Sequence, residues 1–248
     1  MENLTIHPLP LFSGNARFGM PKMTYLANFG KDLTTCCYVW FIEGAEKKVL
    51  VDAGGTAETA VTLRGRPKKE VTQLQSLEEG LAKLKLRPRD IDLIILTHLH
   101  WDHVELAHQF ANAKFVVQKD ELDFACNPHH SAVEFYDKEL FQGLDFEVIT
   151  GDTQITKGIK VLLTPGHAAG GQSVAVETEE GIAVITGFCC IQGNFASSEG
   201  INKEGSVILP GIHLNTMQAY DSMLKVKKAA DIIIPLHEPS YINVDTIP

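Results

Sequence analysis

The sequence predicts an α/β fold in which two β-sheets pack face to face between outer layers of helices, an αββα sandwich. Short apolar runs typical of buried strands alternate along the chain with amphipathic segments typical of helices. No stretch has the composition of a linker, so we expect a single domain over residues 1–248. A chain of 248 residues is long enough to bury the core that such a sandwich requires.

The predicted strands are short runs rich in apolar and β-branched residues. Four lie in the first half of the chain, at residues 34–42, 47–52, 90–96 and 114–118. Five lie in the second half, which we expect to begin near Leu144, at residues 144–150, 158–164, 173–178, 181–186 and 231–237. Glycine and aspartate turns separate several of them, as expected for neighbouring strands of one sheet.

Three segments show the spacing of helices. Residues 119–125 predict a short helix, and two longer segments predict helices with an apolar side. The helix over residues 74–86, with Pro88 beyond its end, should turn one row of leucines to the core: Leu74, Leu77, Leu81 and Leu84. The helix over residues 216–230 should bury Met217, Tyr220, Met223, Leu224 and Val226.

Composition excludes several classes of function. The net charge of −9, from 22 Lys+Arg and 31 Asp+Glu, disfavours nucleic-acid binding, because contacts to phosphates need a basic surface. Five cysteines, an odd number with two adjacent pairs, form a poor disulfide framework and indicate a reducing compartment. Neither a signal peptide nor a membrane span is visible. We therefore expect a cytoplasmic protein that acts on a small molecule, away from membranes.

The stretch THLHWDHV (97–104) places three histidines and an aspartate within residues 98–103. Their spacing does not put them on one face of a helix, which requires intervals of three and four. They follow the apolar run 93–96, and the end of a buried strand is where α/β sheets place ligand sites. His167 and His237 also follow predicted strands, so we expect all of these groups to meet at one edge of the sandwich as a metal site.

These landmarks resemble the metallo-β-lactamase superfamily. THLHWDH matches its H-x-H-x-D-H motif, and VDAGG (51–55) matches the aspartate-glycine turn before it. TPGH and PLHE then supply His167 and His237 in the order that the family uses. The resemblance covers almost the whole chain, and length and a long N-terminal segment make it most similar to the acyl-homoserine lactonase and small-lactone hydrolase group.

The resemblance implies two metal sites, one from His98, His100 and His167 and the other from Asp102, His103 and His237. Histidine and carboxylate ligands suit one or two zinc ions, while iron or manganese remain alternatives. It also implies a hydrolase that uses a metal-bound hydroxide and in which Asp102 orients the nucleophile or transfers its proton. Asp52 is either a carboxylate that orients a ligand histidine or a simple turn residue.

The chain departs from the family pattern after a late strand. Members with two metals usually carry a bridging aspartate there, but the segment ITGFCCIQGNF (185–195) has Phe188 after Gly187 and neither an acidic residue nor the tyrosine of lactonases. Cys189 or Cys190 can supply a thiolate, or both are buried apolar residues and the two sites differ in affinity. His213 is either a further catalytic candidate, which can replace the missing ligand or the tyrosine, or an exposed loop histidine without a role.

Three functions follow as hypotheses. The first is a metal-dependent hydrolase of a small cyclic ester or amide, and the second is a thioesterase of the glyoxalase II kind. The third is a non-hydrolytic role, as a mononuclear iron oxygenase or a metal-binding protein of the same fold. A loop-like N-terminal stretch supplies either an apolar substrate pocket or part of the core through Phe12, Phe18, Met20, Met23 and Tyr25.

Overall fold

A computed structural model of the chain describes residues 3–16, 19–196 and 206–248. The strands within these residues are β1 (Thr5–Asn15), β2 (Thr34–Glu43), β3 (Val49–Val51), β4 (Val71–Gln73), β5 (Leu93–Ile95), β6 (Lys114–Gln118), β7 (Phe146–Ile149), β8 (Thr153–Thr156), β9 (Ile159–Leu163), β10 (Gln172–Thr178), β11 (Gly181–Ile185) and β12 (Ile232–Ile234). The α-helices are α1 (Ala57–Thr62), α2 (Leu77–Lys83), α3 (Trp101–Val104), α4 (Lys119–Cys126) and α5 (Thr216–Ala229). No helix in this part of the chain is long and apolar enough to cross a membrane.

The strands form two sheets. The first sheet has the order β4-β1-β2-β3-β5-β6-β7, and the second has the order β12-β11-β10-β9-β8. In the first sheet β3, β5, β6 and β7 run parallel, and in the second β11 and β12 do. Parallel neighbours bring the carboxyl ends of several strands to the same edge of each sheet.

Three apolar layers hold the sandwich together, as the αββα prediction requires. The middle layer lies between the sheets, and the outer layers lie between each sheet and its helices. Strand β2 is apolar from residue 36 to residue 42 because successive side chains point to opposite faces and both faces are covered. Its side chains toward the second sheet are Cys36, Tyr38, Trp40 and Ile42, and those toward the helices are Cys37, Val39 and Phe41.

The two helices predicted from leucine and methionine patterns differ from the prediction, α2 in its start and α5 in its buried side. Helix α2 starts at Leu77 behind a capping box formed by Ser76 and Glu79, so Leu74 lies before the helix and is 37% exposed. Helix α5 has the predicted extent but buries Ala219, Ser222, Met223 and Val226. Met217 is 80% exposed, which contradicts its predicted burial; small residues complete the true buried face.

The division of strands between the halves differs from the prediction. The segment predicted as the first strand of the second half is β7, which pairs parallel with β6 and ends the first sheet. The second sheet begins at β8, which the sequence did not reveal, and β1 and β4 were also missed. The last predicted strand is shorter than expected, because β12 ends at Ile234 and leaves His237 in the following loop.

Candidate metal centre

The predicted ligands follow the ends of three strands, β5, β9 and β12, and Asp52 follows a fourth, β3. The segment 97–103 follows β5 and continues into α3, while His167 follows β9 and His237 follows β12. Asp52 follows β3 with a φ of 63°, a left-handed conformation that is uncommon outside glycine and that its hydrogen bonds hold in place. Gly55 lets α3 approach, because a Cβ there would lie 2.9 Å from the Cα of Asp102.

The structure brings the six predicted ligands together as two clusters. The candidate ligand atoms of His98, His100 and His167 lie within 4.8 Å of one another, and so do those of Asp102, His103 and His237. In the first cluster the Nε2 atoms of His98 and His167 are 3.2 Å apart. In the second, Asp102 places its two oxygens 3.8 Å from His103 Nε2 and 3.9 Å from His237 Nε2. Each cluster takes two side chains from the segment after β5, which includes α3, and one from a loop that follows a strand of the second sheet.

Four of the histidines are oriented by a bond at Nδ1 that leaves Nε2 for the cluster. The partners of His98, His103, His167 and His237 are, in that order, Thr97 Oγ1 at 3.0 Å, Asp52 Oδ2 at 2.7 Å, the Ile212 carbonyl at 2.7 Å and the Cys36 carbonyl at 3.0 Å. Such partners fix the ring and its tautomer in metal sites. His100 Nε2 is buried without a hydrogen-bond partner among the described residues, as expected of an atom that would bind an ion.

Burial sets the protonation of these groups. It lowers the pKa of His98 and His100 well below the usual value, and that of His167 and His237 to about 4. Burial also acts against protonation of His103, but Asp52 and Asp102 outweigh it and the pKa of His103 is raised. The lowered pKa values favour neutral imidazoles at His98, His100, His167 and His237, which is the form that binds metals, whereas the two carboxylates favour protonation of His103 when no ion is bound.

Asp102 is the one carboxylate of the clusters and is partly open to the cavity. Burial alone would raise its pKa, but His103 and His237 lower it below the usual range, so the group is ionised at neutral pH. Its carboxyl group is 18% exposed, while the ligand histidines beside it are almost completely covered. It can therefore meet both an ion and a molecule in the cavity.

Asp52 holds the motif from behind. One oxygen accepts the Thr97 backbone N–H at 2.7 Å, and the other accepts the Thr97 hydroxyl at 2.9 Å and contacts His103 Nδ1. It is fully buried. Of the two roles considered for this residue, orientation of a histidine agrees with these contacts, and the turn alone does not explain them.

Glu121 on α4 is a residue that sequence reasoning missed. It is fully buried, and its two oxygens accept the backbone N–H groups of Leu99 and Gly170, each at 2.9 Å. Leu99 lies between two ligands of the motif, and Gly170 lies in the loop that carries His167. Glu121 therefore ties together the two loops of the first cluster. The sequence offered one signal: Glu121 lies four residues before Ala125, so the two share the face of α4 that is buried, where an acidic residue is unusual.

The GFCC segment turns only one cysteine to the cavity. Phe188 and Cys190 pack in the apolar layer under α5, and Cys190 Sγ is 3.2 Å from Thr186 Oγ1. Cys189 lines the cavity with its sulfur 3.1 Å from Met23 Sδ, and burial raises its pKa to about 12. It belongs to neither ligand cluster. The side chain that follows Gly187 thus points away from the metal centre.

His213 is near the clusters but is not part of them. Its Nδ1 lies 2.8 Å from the Pro210 carbonyl, its Nε2 lies 3.0 Å from Thr216 Oγ1, and its ring packs edge-on against Tyr25. Both ring nitrogens are thus used by the turn before α5 and by the first residue of that helix. The neighbouring Ile212, whose carbonyl contacts His167, is the residue of this turn that lines the cavity.

A cavity of about 470 Å³ opens in front of both clusters. Its apolar walls include Met23, Leu63, Trp101, Phe135 and Ile212. Of the residues predicted to form an apolar pocket, Met23 lines the cavity and Phe18 lies outside the described residues. The other three do not line it: Phe12 packs in the layer under the helices, Met20 packs against the cluster that contains Met23, and Tyr25 is 39% exposed. The cavity is in the size range of sites for small molecules.

Comparison with known proteins gives concordant matches. The model of the Metallo-beta-lactamase superfamily matches residues 36–187. An N-acyl homoserine lactonase from Bacillus sp is 33% identical over 164 residues, which cover 62% of this chain and 62% of that protein. The N-acyl homoserine lactonase AiiA of Bacillus thuringiensis subsp. kurstaki is 31% identical over 166 residues, which cover 63% of this chain and 64% of that protein. The matched region thus spans less than two thirds of the length of these relatives.

Structural similarity extends over nearly the whole chain. A solved structure of an N-acyl homoserine lactone hydrolase, with the product N-hexanoyl-L-homoserine bound at the catalytic metal center, superposes with a TM-score of 0.74 at 25% identity. The superposition covers 97% of this chain and 95% of that chain.

Proposed function

Since this chain belongs to the metallo-beta-lactamase superfamily, we propose that it is a metal-dependent hydrolase that opens a small cyclic ester. The observation that carries the proposal is the pair of ligand clusters in one cavity, with the second nitrogen of four histidines already fixed. The names of the relatives, which are lactonases, support the choice of a lactone as substrate. Ligands from both sheets are needed, which supports one domain over residues 1–248.

We infer that His98, His100 and His167 would hold one ion and that Asp102, His103 and His237 would hold a second. Histidine with carboxylate is a ligand set that zinc accepts, so zinc is the expected metal. When bound, such ions supply Lewis acidity, which lowers the pKa of water and polarises an ester carbonyl. The Nε2 of His100, which has no hydrogen-bond partner among the described residues, and the lowered pKa of this histidine support such a role.

The chain's own groups then direct the proton and exclude competing water. Hydrolysis adds water to the lactone carbonyl carbon and breaks the ring C–O bond. The Asp102 carboxylate faces the cavity and is ionised, so it accepts a proton from the attacking water and returns it to the ring oxygen. The apolar walls formed by Trp101, Phe135 and Ile212 hold the ring and limit the entry of other water.

Metal counting and a substrate panel test the proposal. The purified protein should hold between one and two equivalents of a transition metal, and it should hydrolyse a lactone faster than a thioester or a lactam of similar size. His98→Ala should lower both metal content and rate, whereas His108→Ala, at an exposed histidine outside the clusters, should change neither. A protein that neither binds zinc, manganese or iron nor gains activity with them contradicts the metal centre. Turnover of thioesters alone would replace the lactonase by the thioesterase.

A further inference from the structure

Three cationic side chains line the cavity although the chain as a whole carries a net charge of −9. Lys22 ends the short 3₁₀ turn Met20–Lys22, and Arg64 and Arg66 lie in the loop after α1. Within the described ranges, no carboxylate oxygen lies within 4.0 Å of their charged nitrogens. Two segments that are distant from the metal motif in sequence thus bring unneutralised positive charge to the same cavity.

The two arginines are held in place by aromatic rings. The Arg64 guanidinium lies over the ring of Trp101, 5.3 Å from its centroid, and donates to the Glu134 carbonyl. Its Nε is buried without a partner among the described residues. The Arg66 guanidinium lies 6.0 Å from the centroid of Phe12. Stacking leaves the N–H edge of a guanidinium available, and that edge matches the two oxygens of a carboxylate.

The residues that line the cavity include three cationic side chains but too few carboxylates inside it to neutralise them. Its carboxylates are Asp102, which belongs to a ligand cluster, and Glu134, whose side chain is exposed to solvent. Bound metal ions would add further positive charge. Like charges in a partly closed cavity repel one another, and the same field concentrates anions there. A neutral substrate would leave this field without a partner, whereas an anionic one would use it for binding.

We propose, on the basis of the proposed function, that the substrate is a lactone that carries a carboxylate group, which Arg66, Arg64 and Lys22 bind while the ester carbonyl lies at the ligand clusters. Arg66 and Lys22 come from different segments of the chain and line the same cavity, so both can donate to one carboxylate there. The apolar walls contact the ring between the two polar ends. The enzyme then selects lactones mainly by the presence of the carboxylate and, to a smaller extent, by the other substituents of the ring.

The test compares two lactones with the metal-loaded protein. One is γ-butyrolactone, and the other is the same ring with a carboxylate on the carbon next to the ring oxygen. The ratio of kcat/KM for the charged over the neutral lactone should exceed about tenfold, the size expected of a charge-assisted hydrogen bond at a partly exposed site. Arg66→Gln and Lys22→Gln should each lower this ratio by about tenfold, and Arg66→Lys should lower it less.

The matched control is Lys69→Gln, which removes one positive charge from the neighbouring 3₁₀ turn at an exposed residue that does not line the cavity. It should leave the ratio unchanged. Equal kcat/KM for the two lactones, or a ratio that Arg66→Gln and Lys22→Gln do not alter, overturns the inference and leaves the proposed function intact.

Calorimetry separates failure of the inference from failure of the proposed function. It measures binding of the two ring-opened products, hydroxyglutarate and hydroxybutyrate, to the same proteins. If neither lactone is hydrolysed, the proposed function fails, but tighter binding of hydroxyglutarate that Arg66→Gln abolishes still supports the carboxylate site. Equal binding of the two products by the wild type, together with no hydrolysis, contradicts both.

Discussion

Replacing Glu121 by glutamine tests whether a buried carboxylate holds the two loops of the first ligand cluster together. Each carboxylate oxygen accepts one backbone N–H, from Leu99 and from Gly170. A glutamine side chain has one accepting oxygen, and its NH₂ group would face the other N–H. The variant keeps the shape of the side chain, so the change is confined to one lost acceptor and to the charge.

The expected cost follows from these contacts. A buried N–H left without a partner costs about 1–3 kcal/mol, and the remaining bond loses its charge assistance, about 1 kcal/mol more. Burial raises the pKa of Glu121, against the lowering effect of the two N–H donors, so removal of the charge returns part of this cost. We expect a net loss of about 2–3 kcal/mol in the free energy of unfolding. Looser loops should also weaken metal binding by about 10–100-fold, as for other residues that orient ligands.

Urea unfolding of the metal-free protein measures the first quantity, and competition with a chelator measures the second. Asp120→Asn is the matched control, because it removes a carboxylate from the preceding, exposed position of α4. An unfolding free energy within about 0.5 kcal/mol of the wild type, together with unchanged metal affinity, would refute the role assigned to Glu121.

Three further outcomes are expected. Asp102→Asn should lower kcat more than it raises KM, because it removes the group that moves the proton; near-normal turnover at full metal loading would exclude that role. In the metal-free protein, four buried histidines have a lowered pKa, with His167 and His237 at about 4. The unfolded chain therefore binds more protons than the folded chain below about pH 6.5. The free energy of unfolding should fall as the pH is lowered from about 6.5 towards 4. Chemical denaturation at a series of pH values measures this change. During chelator titration one ion should leave before the other, and the double replacement of Cys189 and Cys190 by serine should retain the tighter ion; two ions leaving together, or loss of both in the variant, contradicts the inequality of the sites.

The fold could be predicted wherever burial on both faces dictates composition. Strand β2 and the run before the motif are apolar throughout because layers cover both of their faces. Strand β1 escaped notice because Pro8 and Pro10 lack the N–H that a ladder uses. They are tolerated because β4 pairs only with residues Phe12–Gly14, so β1 has a single neighbour at the prolines. The sheet to which β7 belongs depends on pairing between distant segments, which local periodicity does not contain.

The ligand set could be predicted because metal chemistry restricts residue types, and the order of the landmarks restricts their positions. The orientation of the GFCC segment could not. Gly187 packs so tightly that a Cβ would lie 2.0 Å from the Gln172 carbonyl oxygen, a contact between distant segments that the local sequence does not contain. The role of Glu121 could not be predicted from local sequence either, because the two N–H groups that donate to it lie in loops far apart along the chain.

Each ligand cluster joins two side chains of the first sheet to one of the second. An ion in either cluster would act as a crosslink between the two halves of the sandwich, comparable to a disulfide that closes a long loop. Its binding energy would count toward docking of the sheets, because a ligand that binds only the folded state stabilises that state. An ion could bind with its full ligand set only after both sheets have folded and docked. Formation of the active site and the final gain in stability would therefore occur in the same step.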